Sequence, residues 1–117
     1  MNISALPKDA DALVTFAESI ATALAEKQEQ LGIATEAEAP LRVAIAGATL
    51  VGDAYVAALA HPEKSQAARS FLAEAKRRRD RSIQQLRRRV TRSLRRLSRL
   101  GEARAEARDY KAITLTH

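Results

Sequence analysis

Two histidines, His61 and His117, are the only imidazoles in a chain of 117 residues that has no cysteine. Nucleophilic catalysis needs a nucleophile beside a base, and a metal centre needs several converging ligands. His61 stands before Pro62 in a turn-forming pair and His117 is the last residue, so neither has a triad partner or a ligand set in view. The close carboxylate pairs Asp9/Asp11 and Glu36/Glu38 stand where helices begin, and the positive helix end accounts for them. Gly47 and Gly52 belong to no phosphate loop, because neither G-x-x-x-x-G-K-[ST] nor G-x-G-x-x-G occurs. No enzymatic activity, cofactor or metal is expected.

Arginine is the residue type with something to do. From Lys76 to Arg99 the chain carries eleven arginines and one lysine against one acid, Asp80, whereas residues 1–64 carry four basic and nine acidic side chains. Such segregation implies a polyanionic partner, or an acidic protein surface folded against the arginines. On a helix, Arg77, Arg81, Arg88, Arg92, Arg95 and Arg99 share one face along about 33 Å, enough to follow a phosphate backbone. Guanidinium forks suit phosphate oxygens. Gln84 and Gln85 are the only amide side chains in that stretch, and no aromatic is there to stack on bases. The expected mode is therefore shape- and charge-driven binding of DNA or RNA, without base readout.

These arginines need an element to carry them. Two Phe, two Tyr, no Trp, three Pro and four Gly, with Ala, Leu, Glu and Arg abundant, predict one all-α domain over residues 1–117. The periodicity predicts a three-helix antiparallel bundle with helices at about 8–31, 40–60 and 64–100 and a short tail over 101–117. The first helix has Pro7, Asp9 and Asp11 at its start, an apolar stripe from Leu13 to Leu31, and Gly32-Ile33 as a left-handed cap. The second follows a turn capped by Thr35 with Glu38, begins near Pro40, and repeats Leu41, Ile45, Ala48, Gly52, Tyr55 and Leu59. Gly47 and Gly52 predict close approach of a neighbouring helix. Only Asp53 is charged between Val43 and Ala60, and the Ala- and Gly-rich stretch predicts a helix buried on most sides, not a membrane span. Asp53 is expected to meet Arg69 or Lys76.

In the third helix, Ala68, Leu72, Ala75, Ile83, Leu86, Val90, Leu94 and Leu97 hold the stripe opposite the arginines. Arg79 falls inside that stripe and Arg87 near its edge. Pairing levels across the two turns sets the far end of the first helix opposite about Arg87. Arg88 to Leu100 would then overhang, with Val90, Leu94, Leu97 and Leu100 uncovered. An uncovered apolar stripe predicts self-association as a homo-oligomer, through a coiled coil or bundle, unless the tail folds back with Glu102, Glu106 and Asp109. The start, MNISALPKDAD, lacks a basic region followed by an apolar core, so a cytoplasmic location is expected.

The segments LGIATEAEAPLRVAIAGATLVGDAYVAAL and AARSFLAEAKRRRDRSIQQLRRRV give residues 10–97 a layout that resembles a family of uncharacterised Ala-rich bacterial helical proteins. The resemblance implies a helical bundle and no particular activity. This chain departs from it in arginine density.

Overall fold

The structure, a computed structural model, describes residues 6–61 and 65–116, with side chains as far as residue 102. Pro62, His117 and the side chains of Glu106 and Asp109 lie outside the described residues. Three helices form: α1 (Ala10–Gln30), α2 (Ala39–Leu59) and α3 (Gln66–Thr116). Each start has a local cause. Asp9 caps α1 by accepting from the Ala12 N–H (3.1 Å), Pro40 sits in the first turn of α2, and Ser65 accepts from the Ala68 N–H (3.2 Å). The end of α1 is closed as expected: Gly32 has φ +68, and the Ile33 N–H donates to the Gln28 carbonyl (2.9 Å), the double-bonded left-handed cap.

The expected break at Gly101 is absent. α3 runs on as one helix of 51 residues, so residues 101–116 continue it instead of forming a tail folded back over the arginines. A helical glycine costs about 1 kcal/mol relative to alanine. The run Glu102-Ala103-Arg104-Ala105-Glu106-Ala107-Arg108 that follows is made of strong helix formers with no proline. Nor does Arg79 interrupt the helix.

The core joins Leu13, Ala17, Ile20 and Ala21 of α1, Leu41, Ile45 and Ala48 of α2, and Leu86, Val90 and Leu94 of α3. This fixes the register. Arg87 donates to the carbonyl of Lys8 (3.0 Å), just before α1 begins. Leu24, near the end of α1, borders the same notch as Ser93, Arg96 and Arg99. α1 and α3 thus run in the same direction, with the start of α1, not its end, near Arg87. Burial explains the slide. The large side chains of α1 remove more apolar surface from water against Leu86, Val90 and Leu94 than against the alanines early in α3.

The stretch expected to overhang, Arg88 to Leu100, is therefore covered, and the unbroken α3 extends beyond the body past it. Val90 is fully buried, Leu94 and Leu100 are 6% exposed, and Leu97 packs against the core. The stripe expected to hold copies together is covered by α1 and α2. What α1 leaves uncovered is the hairpin of the second half of α2 and the start of α3.

Four smaller expectations are also corrected. α2 buries only Leu41, Ile45 and Ala48, since a three-helix bundle leaves every helix an outer face. Nothing presses on its glycines: a Cβ on Gly47 would meet only Ser82 Oγ, at 4.0 Å, and one on Gly52 nothing within 4 Å. Asp53 is exposed, as are Arg69 and Lys76, and among the described residues no ion pair joins them. In the α1–α2 turn, the carboxylate of Glu38 makes no cap; it accepts from Gln28 Nε2 (3.0 Å) instead. Gln28, 3% exposed, also donates to the Leu24 carbonyl (3.1 Å) and accepts from the Ala37 N–H (3.1 Å). One buried amide thus pins the turn against α1.

Candidate polyanion interface

The arginines of α3 divide by what neighbours them. Near its start, Glu74 gathers three: Arg77 at 2.7 Å, Arg78 at 3.3 Å and Arg81 at 3.7 Å. The hydrogen bond and charge of Arg77, followed by those of Arg78, hold the Glu74 carboxyl below its ordinary range. Arg79, the arginine inside the apolar stripe, lays its guanidinium 4.9 Å from the ring centroid of Tyr55, a cation–π contact that lets it sit beside an apolar face. Arg87 is tied to Lys8 as described. Five of the eleven therefore have partners within the chain.

Arg88, Arg92, Arg95 and Arg99 do not. All four are exposed, and among the described residues none has an ion pair or a side-chain hydrogen bond. They fall within about 60° of arc and cover about 17 Å of helix axis. Because α3 is packed on α1 and α2 through its opposite face, this row is held at fixed spacing. Glu18, Glu26 and Glu29 of α1 are not involved: no ion pair joins them to an arginine among the described residues. Of the six arginines singled out from the sequence, the structure sets four in an open row and ties Arg77 and Arg81 to Glu74.

Two concavities flank the row on the α2 side. One is an open groove in which Arg88, Arg89 and Arg92 face Pro40, Val43, Ala44 and Gly47. The other is a notch where Arg89, Arg92, Arg96 and Arg99 face Thr35, Ala37 and the first turn of α2. Arg96 Nε is buried without a hydrogen-bond partner among the described residues. By helical spacing Arg89 and Arg96 fall on the flank of the arginine face. The sequence held no signal for the notch, which depends on the α1–α2 turn arriving at that level. No group of three or more His, Cys, Asp or Glu suited to a metal exists among the described residues.

A second surface was not foreseen. Val43 and Leu50 are each 72% exposed and Phe71 65%. Leu50, Val51 and Ala54 line an apolar groove with Phe71 and Ala75. By length and composition α2 also qualifies as a helix able to cross a membrane, with 17% of its apolar window buried in the bundle. Asp53 in its second half opposes insertion by about 2.5–3.5 kcal/mol near a bilayer centre.

Comparison with protein-family models, with curated proteins and with solved structures gives no match.

Proposed function

We propose that the protein is a non-enzymatic binder of polyanions, which holds the phosphate backbone of duplex DNA or structured RNA along α3 without reading base sequence. The observation that carries this reading is the row Arg88, Arg92, Arg95 and Arg99, exposed and without a counter-charge among the described residues. A solvated arginine row on a stiff helix gives up little freedom when phosphates replace its counterions, and release of the nucleic acid's own counterions drives binding. A cytoplasmic location goes with such a partner. The test is a salt series with mixed-sequence duplexes: binding strong at low salt, falling linearly on a log–log plot, and indifferent to sequence. No binding at low salt would overturn the reading.

Self-association is a second reading, favoured by the exposed Val43, Leu50 and Phe71 and relocated from the third helix to α2. Arg42 and Asp53 are the only charged residues of α2. They lie eleven residues apart, three turns, and so on the same flank. An antiparallel second copy centred between them would set each Arg42 against the other's Asp53 while covering Val43 and Leu50. Light scattering tests it: Leu50→Glu should halve the mass of an oligomer, and a wild-type protein that is monomeric at high concentration removes the idea.

A further inference from the structure

The notch between the α1–α2 turn and α3 differs in kind from the exposed row. Arg89, Arg92, Arg96 and Arg99 border it from α3, Thr35 and the first turn of α2 close it opposite, and no carboxylate among the described residues lines it. Glu38, beside the turn, has its carboxylate on Gln28. Arg96 is half-buried, and its Nε is sealed from solvent with no partner among the described residues. A guanidinium partly stripped of water and lacking a counter-charge is costly, and three like charges around it raise that cost. An anion reaching its accessible terminal nitrogens would relieve both. The start of α2 adds the positive end of a helix dipole at the same place.

We infer that this notch is a discrete site for a phosphate group carrying two negative charges, bound chiefly by Arg96 and Arg89. Four arginines bordering one notch favour a dianion over the single charge of an internal phosphodiester. The same chemistry is offered by free inorganic phosphate and by the terminal phosphate of a nucleic-acid strand. The inference rests on the polyanion reading for its class of ligand, and adds a site that the open row lacks.

The experiment uses the full chain and three probes: inorganic phosphate against chloride at equal ionic strength, and a single-stranded oligonucleotide with and without a 5′-phosphate. Phosphate should raise the thermal midpoint where chloride does not. Arg96→Gln and Arg89→Gln should each weaken phosphate about tenfold or more, as loss of a charge-assisted hydrogen bond does. Arg88→Gln with Arg95→Gln, both outside the notch, should leave the phosphate response intact while lowering duplex affinity. Arg96→Gln should also keep or raise the phosphate-free midpoint, since it removes an unpaired charge, so a lost response cannot be put down to misfolding. Tighter binding of the phosphorylated oligonucleotide assigns the strand end; equal binding of both with a phosphate-induced shift assigns the free ion. Absence of both effects, or a response that survives Arg96→Gln, overturns the site. Duplex binding that fails while the phosphate shift persists removes the row as an interface and leaves the notch standing.

Discussion

The two ends of the bundle are built from the same long helix and behave as opposites. Where α1 covers α3, the buried face carries Leu86, Val90 and Leu94, and the outward arginines Arg88, Arg92, Arg95 and Arg99 have no counter-charge among the described residues. Where only α2 accompanies α3, the arginines are engaged by Glu74 and Tyr55, and it is the apolar side chains Leu50 and Phe71 that lack cover. At one end the apolar face of α3 is covered and its charge unanswered; at the other its charge is answered and the apolar side chains of the hairpin lack cover. On the proposed reading, partner chemistry divides along the axis, with anions bound at one end and apolar surface at the other.

The comparison can be broken most directly through stability. Leu86→Ala, in the covered half, should cost about 2–5 kcal/mol in chemical denaturation, whereas Leu50→Ala should stay within about 0.5 kcal/mol. Similar costs at the two positions would mean that the hairpin end is covered after all. Leu94→Glu should likewise unfold the chain instead of merely separating copies, because Leu94 is buried within it. Next in size, replacing Arg88, Arg92, Arg95 and Arg99 together by Gln should reduce the duplex-DNA salt slope by about 0.9 for each phosphate no longer neutralised. The pair Arg77→Gln and Arg81→Gln should change it less, since Glu74 already holds both. An equal effect from the two sets would erase the distinction between the ends.

Gly101→Ala sharpens the picture of α3. The added methyl meets nothing within 4 Å, so helicity by circular dichroism should rise and stability should gain up to about 1 kcal/mol. A loss would show that the helix bends there. The smallest effect belongs to Glu74, whose carboxyl titrates below its ordinary value because of Arg77. A depressed acid contributes stability above its unfolded pKa and loses it as pH falls through the folded one. Its exposure makes the contribution slight, so the readout is an NMR titration. The Glu74 midpoint should lie below 4.5 and move up towards it in Arg77→Gln.

What the sequence disclosed was local. The Asp9 start, the Gly32 cap, the stripe of α3 and the face opposite it are fixed by neighbours within a turn or two, and all can be read from spacing. Register is not local. Matching the turns suggested a level pairing, but the position of α1 follows from where large side chains meet large side chains, information spread across some seventy residues. The same shift explains why Val90 and Leu94 are covered, whereas Asp53 misses Arg69 and Lys76 because it borders the groove beside the start of α1. Gln28 escaped notice because a glutamine in a helix reads as solvated, and only the returning turn supplies two of the three partners of its amide. Gly101 read as a stop because glycine usually is one, although the residues after it favour continuation.

The unbroken α3 has a practical corollary for anyone counting copies. The molecule measures 78 × 27 × 15 Å, and its radius of gyration is 19.8 Å, against about 13 Å for a compact chain of this length. A rod of this kind diffuses slowly for its mass and elutes early from a sizing column. A single copy will therefore imitate a globular dimer, and only a shape-independent mass can tell one from two.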